Sequence, residues 1–189
     1  MSIKLLTVVL AVAATASAAE LVVNGGFETG DFTGWSLSGN ITNTGVDPGF
    51  AYSGHFGAKL GSVGADGFLS QLLPTVPGSN YVLSDVLENL GGTPNDFGVL
   101  WGGVLVPGSN FVDAVKFPGT VFTFHLIAPG PNTQLTFVFR QDPTFWGLDD
   151  VSVQGTEGQF VPEPATTGMM GVTAIVLLRS RRHRTLVKS

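Results

Sequence analysis

The chain has 189 residues, a formal net charge of −5 and no cysteine. The lack of cysteine excludes disulfides, thiol nucleophiles, thiolate zinc sites and iron–sulfur clusters. Residues 20–160 contain three basic and 13 acidic residues, which give this part a formal charge of −10. An acidic surface repels phosphate backbones, so we expect no nucleic-acid partner.

The first 19 residues are typical of a secretory signal peptide. Lys4 supplies a basic start, residues 5–14 an apolar stretch, and residues 16–18 a small-residue Ala-Ser-Ala cleavage site. We therefore expect export through the Sec machinery and a mature chain that begins near Glu20. The alternative is a retained N-terminal anchor, which the short apolar stretch disfavours.

Residues 20–160 are predicted to form one all-β domain. Glycine (26) and proline (11) interrupt this region too often to leave room for helices. Segments rich in Val, Phe, Leu and Thr lie between the breaks, and in one of them Leu135, Phe137 and Phe139 fall on the same face. Many short strands joined by turns predict an antiparallel β-sandwich or barrel. The predicted strands are 67–73, 80–88, 96–101, 119–127, 133–141 and 146–154.

The sequence Pro-Gly-Ser-Asn occurs at 77–80 and again at 107–110. Proline fixes φ and glycine accepts the positive φ of a tight turn, so both stretches are predicted turns. Their flanking residues differ, which favours two similar turns over a repeated domain.

Carboxylates near the two ends of the domain are candidate metal ligands. Glu28 lies in a glycine-rich turn after the first strand, and Asp149 and Asp150 begin the last strand. If these strands are neighbours, the carboxylates converge, and oxygen ligands completed by backbone carbonyls suit calcium. The alternative is that the two aspartates accept hydrogen bonds from turn amides while Glu28 is solvated.

The order of short motifs along the domain resembles the galactose-binding-like jelly rolls, which include many carbohydrate-binding modules. The motifs are Asn24-Gly25-Gly26-Phe27-Glu28, Gly34-Trp35, Tyr52-Ser53-Gly54 with Ala58, and Leu148-Asp149-Asp150-Val151. The resemblance implies a jelly-roll sandwich and one structural calcium ion. It also implies the ligands, namely Glu28, Asp149 or Asp150, and main-chain oxygens near Gly54 and Lys59.

The C-terminal 29 residues, 161–189, combine three features of a membrane-directed tail. Pro162, Glu163 and Pro164 follow Val161, and an uncharged, mostly apolar run occupies 165–178. A bilayer-spanning helix needs about 20 apolar residues, so this run is short for a stable span. A basic segment, 179–189, completes the tail, with arginines that favour the cytoplasmic side. These are Arg179, Arg181, Arg182 and Arg184.

This tail resembles the PEP-CTERM sorting signals of exported proteins in Gram-negative bacteria that make extracellular polymeric substance. The stretches NGGFETGDFTGW, FLSQLL, GGTPNDFGVLWGG and LDDVSV are likewise similar to a recurrent family of PEP-CTERM proteins with this one domain. The resemblance implies removal of the tail by an exosortase-type membrane protease, transient inner-membrane contact, and final residence at the cell surface or in the extracellular matrix. A permanent C-terminal anchor is the alternative.

Aromatic and polar residues at strand ends are the candidate sugar contacts. Trp101 is the predicted stacking platform, since an indole face packs against sugar C–H groups, while Trp35 is expected in the core. The polar candidates are Asn95, Asp96, Asn110 and Gln141.

The sequence therefore predicts an exported, non-catalytic jelly-roll protein that associates with extracellular polysaccharide. His55 and His125 lack the motifs of nucleophilic or metal-dependent hydrolases, which gives catalysis little support. The first alternative is a structural matrix or coat protein without specific sugar binding. A less favoured one is a glycan hydrolase that would pair Glu28 with Glu88 or Asp96.

Overall fold

The computed structural model describes residues 19–156, in which two antiparallel sheets face each other across a hydrophobic core. The strands are β1 (Ser36–Gly39), β2 (Gly45–Asp47), β3 (Gly57–Leu60), β4 (Gly67–Pro74), β5 (Asn80–Asn89), β6 (Asn95–Trp101), β7 (Val104–Leu105), β8 (Phe111–Val112), β9 (Phe117–Ile127), β10 (Asn132–Gln141) and β11 (Trp146–Gly155). One 3-10 turn, Pro48–Phe50, lies between β2 and β3.

The six-stranded sheet has the order β1-β4-β10-β6-β7, and β8 also pairs with β6. The five-stranded sheet has the order β2-β3-β11-β5-β9. The predicted all-β antiparallel sandwich of the jelly-roll type is therefore confirmed. All six predicted strands are present with ends within two residues, whereas β1, β2, β3, β7 and β8 were not predicted.

The core forms because inward positions alternate with outward ones along the long strands. In β10, Leu135, Phe137 and Phe139 are fully buried, while the residues between them face outward. Phe137 lies between two other rings, with its centroid 6.0 Å from that of Trp35 and 5.9 Å from that of Phe97. Trp35 is therefore a core residue, as the sequence predicts.

The start of the described chain runs beside the last strand. The amide of Leu21 donates to the carbonyl of Val153 (2.9 Å), and the amide of Val151 donates to the carbonyl of Gly25 (3.0 Å). The two ends of the domain are therefore neighbours, which brings the glycine-rich turn of Glu28 close to Asp149.

The glycines of the two Pro-Gly-Ser-Asn turns have the positive φ that the turn prediction requires. Gly78 has φ of 76° and Gly108 has φ of 84°. The strands and the core that the structure describes between residues 19 and 156 lie within residues 20–155, so this part of the chain carries its own hydrophobic core and can be studied by itself.

The predicted signal peptide, the PEP motif and the arginine cluster lie outside the described residues. Between residues 19 and 156 the structure has no helix with the length and apolarity to cross a bilayer.

Candidate functional site

A pocket of about 110 Å³ opens on the outer face of the five-stranded sheet. Its floor is formed by Val86 of β5, Gly119 of β9 and Gly147 of β11, and its wall by residues 49–52. Two carboxylates, Glu88 and Asp149, complete the lining. The site is therefore built on three neighbouring strands, which hold its floor rigidly.

Two glycines shape the pocket because each leaves room for a neighbouring side chain. A Cβ on Gly119 would lie 2.7 Å from Cδ2 of Tyr52, so the tyrosine ring rests directly on the backbone of β9. A Cβ on Gly147 would lie 2.6 Å from Cγ of Glu88, so this side chain crosses β11 in the same way. The Tyr52 side chain is nevertheless 57% exposed, which leaves part of the ring open to solvent.

Glu88 is the half-buried acid of the pocket. Burial raises the pKa of its carboxyl, and the charge of Lys116 opposes this rise. Its position in β5 pairs with Gly147, so the side chain points outward with no bulky neighbour across the strand. The Glu88 carboxylate is therefore able to accept hydrogen bonds from a ligand above the sheet.

Asp149 has a different role, because it fixes the wall of the pocket. One carboxylate oxygen, Oδ2, accepts hydrogen bonds from the amides of Tyr52 (2.8 Å) and Ser53 (3.1 Å). The other, Oδ1, accepts from the amide of Asp150 (2.8 Å). Burial raises the pKa of Asp149 while these hydrogen bonds lower it. Both oxygens are thus engaged in holding the loop that carries Tyr52.

Glu28 holds the next part of the same loop. Its Oε1 accepts hydrogen bonds from the amides of His55 (2.8 Å) and Phe56 (3.0 Å), and these bonds lower the pKa of its carboxyl. Asp150 adds a third link, since its Oδ1 accepts from the hydroxyl of Ser53 (2.7 Å). Residues 52–56, which we call the clamp loop, are therefore tied to both ends of the domain by three carboxylates.

The same carboxylates are the predicted calcium ligands, and their donor chemistry suits that ion. Two of them approach one position, since a Cβ on Gly26 would lie 3.8 Å from Oδ1 of Asp149 and 3.8 Å from Oδ1 of Asp150, whereas the nearest atom of Glu28 there is Cγ, at 3.7 Å. Over residues 19–156, however, no three His, Cys, Asp or Glu side chains are arranged together to hold a metal. Calcium therefore stays a prediction.

Gly54 and Lys59, the predicted sources of main-chain ligands, have different surroundings. Gly54 belongs to the clamp loop, and a Cβ there would approach Oε1 of Glu28 to 2.4 Å. The Lys59 side chain pairs with Asp47 at 3.9 Å and lies over the Phe145 ring, 5.2 Å from its centroid.

Trp101 is not a sugar platform in this structure, which corrects the sequence-based prediction. Its side chain is 6% exposed, its ring lies 6.1 Å from that of Tyr81, and its indole nitrogen donates to the carbonyl of Ile127 (2.9 Å). The ring alternates inward with Phe97 and Val99 along β6, so the strand register places it in the core.

Two of the four polar candidates are also wrong, because Asn95 and Gln141 are fully buried. The Asn95 amide donates to the carbonyl of Ala114 (3.0 Å), and the Gln141 amide donates to Oδ1 of Asn89 (2.8 Å). Both side chains thus hydrogen-bond within the sandwich and have no surface to offer a glycan.

Asp96, in a strand of the other sheet, and Asn110, in the loop before β8, are not part of the pocket. Asp96 is half-buried in β6, opposite Arg140 of β10, and burial raises the pKa of its carboxyl. Asn110 is exposed, just before β8. Their predicted sugar contacts stay predictions.

Tyr52 and Glu88 were not chosen as ligand-binding residues from the sequence. The alternation along β5 contained a signal for Glu88, since Val82, Ser84 and Glu88 share the outward face. Nothing in the sequence around Tyr52 indicated that its ring would rest on Gly119, because that contact depends on the path of the clamp loop.

The fold is similar to those of solved carbohydrate-binding modules. The CBM22-1 xylan-binding domain from Paenibacillus barcinonensis is 14% identical with a TM-score of 0.56, over 78% of this chain and 100% of that one. A family 16 carbohydrate-binding module is 19% identical (TM-score 0.53; 70% and 98% of the chains), and TmCBM61 in complex with β-1,4-galactotriose is 18% identical (TM-score 0.52; 71% and 98%). No protein-family model and no curated protein matches the sequence. At these identities the similarity shows the fold, a jelly roll like that of carbohydrate-binding modules.

Proposed function

We propose that residues 20–160 form a non-catalytic module that associates with extracellular polysaccharide through the pocket at Tyr52. The observation that carries this proposal is an exposed tyrosine ring seated on Gly119, beside the carboxylate of Glu88, on a rigid sheet face. The likeness of the fold to carbohydrate-binding modules supports the same function by analogy.

The chemistry of the pocket suits a sugar ring. An aromatic face packs against the C–H groups of a pyranose, and the tyrosine hydroxyl can hydrogen-bond at its edge. A carboxylate accepts hydrogen bonds from sugar hydroxyls, and these are stronger than bonds between neutral groups. Because Asp149 fixes the amides of Tyr52 and Ser53, little ordering of the wall is needed when a sugar binds.

The absence of catalysis is part of the proposal. Glycoside hydrolysis by a carboxylate pair needs two acids that are free to exchange protons or attack the sugar. In the pocket, Asp149 uses both oxygens for backbone amides, which leaves Glu88 as the one acid of the lining without such bonds. Incubation of purified protein with polysaccharide is expected to release no reducing ends, and release that Glu88→Gln abolishes would overturn this part.

Export and sorting form a separate proposal that rests on the sequence patterns at the two ends. The chain is exported by the Sec machinery, pauses in the inner membrane through residues 165–178, and is released to the surface by an exosortase-type protease. Replacement of Pro162, Glu163 and Pro164 by alanine is expected to keep the protein in the membrane fraction. Normal release of this variant would refute the sorting role.

We also propose that one calcium ion binds at the carboxylates of Glu28 and Asp149 or Asp150 and helps to fix the clamp loop. Support comes from the oxygen-donor chemistry and from the approach of Oδ1 of Asp149 and Oδ1 of Asp150 to the same position beside Gly26. When bound, the ion would supply charge neutralisation and a further link between the chain ends.

The test of glycan binding is retention of residues 20–160 on extracellular polysaccharide from the producing organism. We expect retention that soluble glycan competes away, and at least a tenfold loss with Tyr52→Ala or Glu88→Gln. Leu72→Ala is the matched control, because Leu72 is 64% exposed on the other sheet. If the folded protein is not retained, glycan binding fails, and the structural matrix or coat protein becomes the better account.

A further inference from the structure

The outer edge of β9 differs from the other sheet edges. The other edge strands, β1, β2 and β7, have two to four residues, whereas β9 has 11. In the part of the chain that the structure describes, β9 pairs with β5 on one side and with no strand on the other. A long edge of this kind presents a row of backbone donors and acceptors to another strand.

The backbone groups that point outward can be assigned from the end of the β5–β9 ladder. The amide of Ala128 donates to the carbonyl of Ser79 (2.9 Å), and the carbonyl of Ala128 accepts from the amide of Gly78 (2.8 Å). Hydrogen-bonding direction alternates along an antiparallel strand, so alternate residues before Ala128 also point toward β5. The residues between them point their amides and carbonyls outward, namely Val121, Thr123 and His125.

Proteins usually block such edges with lysine, proline or a bulge. In β9 such features occur only near its start. Pro118 is the second residue of the strand, and the register with β5 shifts between Leu87 and Asn89. From Gly119 to Ile127 the strand has no Asp, Glu, Lys or Arg, although the domain carries a formal charge of −10. A second copy can approach this segment without placing like charges against each other.

The side chains of β9 add apolar surface on both faces. Phe122 and Phe124 point toward the core but are half-buried, and Val121 and Ile127 on the outer face are 59% and 63% exposed. In an antiparallel pair centred on Thr123, Phe122 stands opposite Phe124 of the second copy, and Val121 stands opposite His125 of the second copy. This register is self-complementary, as two-fold symmetry requires.

We propose that two copies of this chain associate through antiparallel pairing of their β9 strands, with the two-fold axis at Thr123, to give one continuous ten-stranded sheet. The interface gives the outward amides and carbonyls partners and covers the exposed flanks of the phenylalanines. A dimer of this kind displays two Tyr52 pockets on one sheet surface, and two linked sites bind a polymer more tightly than one.

The first test is the mass of residues 20–160 in solution. We expect a monomer–dimer equilibrium by sedimentation at concentrations up to about 1 mM, since a strand pair buries less area than a stable interface of roughly 1,200 Å² or more. Thr123→Lys places two ammonium groups opposite each other and is expected to give a monomer. Gln134→Lys, which adds the same charge at an exposed position of β10, is expected to leave the dimer unchanged.

Cross-linking tests the register, because the chain has no cysteine of its own. Under oxidation Thr123→Cys is expected to form a covalent dimer at least tenfold faster than Gln134→Cys, since paired residues on adjacent strands lie within disulfide distance. Circular dichroism confirms that each variant is folded. The proposal is overturned if the folded protein stays monomeric to about 1 mM, if the dimer survives Thr123→Lys, or if the two cysteine variants cross-link at equal rates. Each of these outcomes is independent of the glycan-binding result.

Discussion

Asp85 is an acid in the core, and its replacement by asparagine tests the electrostatics of the sandwich. It lies in β5 between Leu83 and Leu87, faces inward, and is 2% exposed. In the described region its Oδ1 has no hydrogen-bond partner. Burial without compensation disfavours the charged form and raises the pKa of Asp85 from 3.8 to about 7.

The sign of the effect on stability follows from proton binding. A carboxyl with a raised pKa holds its proton more tightly in the folded chain than in the unfolded chain. The stability that this proton binding contributes is fully present below about pH 4 and is lost as the pH rises through about 7. A rise of about three pKa units corresponds to roughly 4 kcal/mol at about 1.4 kcal/mol per unit. Asp85→Asn removes this ionisation while keeping the side-chain shape.

The measurement is urea unfolding of residues 20–160 and of Asp85→Asn at pH 4, 6 and 8. We expect similar free energies of unfolding at pH 4 and a variant more stable by about 2 to 4 kcal/mol at pH 8, the lower value allowing for the buried amide. Asp66→Asn, at an exposed position, is the control and should show no such trend. A difference between the wild type and Asp85→Asn that does not change with pH would refute the reasoning.

Three further predictions concern the core, the clamp loop and calcium. Phe137→Ala should lower the free energy of unfolding by about 3 to 5 kcal/mol, because the ring is fully buried; urea titration measures this, and a loss below 1 kcal/mol would contradict it. Gly54→Ala should lower the free energy of unfolding by at least 1 kcal/mol more than Gly64→Ala does, in the same urea assay. Both glycines have positive φ, but only at Gly54 would a Cβ meet an atom of Glu28. Equal losses for the two variants would contradict this prediction. Saturating calcium, at about 100 times its Kd, should stabilise the protein by about 2.7 kcal/mol, as thermal unfolding with calcium and with chelator can measure. It should have no effect on Glu28→Gln, whose amide oxygen can still accept hydrogen bonds from the clamp loop. If calcium does not stabilise the wild type, the carboxylates act only as hydrogen-bond acceptors for the clamp loop.

The sequence predicted the long strands because their side chains carry the period-two pattern themselves. In β10 the alternation is visible without knowledge of any neighbour, and the structure confirms it. The short strands have no such pattern. β3, with sequence GAKL, is a strand because β11 and β2 pair with it on its two sides, and this pairing is a property of the whole fold.

The errors at the candidate site have a related cause. Trp101 and Gln141 lie at strand ends, which suggested exposure, but strand register decides which face a residue occupies, and both face the core. Glu28, Asp149 and Asp150 all hydrogen-bond to the clamp loop, and this follows from one condition that the sequence left open, that the two ends of the domain are neighbours. The position of Tyr52 depends on the path of the clamp loop, which three separate carboxylates hold. No local sequence pattern encodes that path.

Two glycines, Gly119 and Gly147, make room for the two side chains of the pocket that the sequence analysis did not identify as ligand-binding residues. Gly119 and Gly147 occupy ordinary strand positions, where a glycine weakens a sheet unless another group needs its space. Here each space is taken by a side chain of the pocket, Tyr52 in one case and Glu88 in the other. Larger residues at these positions would collide with Tyr52 and Glu88 and would displace both side chains from the pocket. The two glycines are therefore what lets the exposed ring and the carboxylate lie together on this face of the five-stranded sheet.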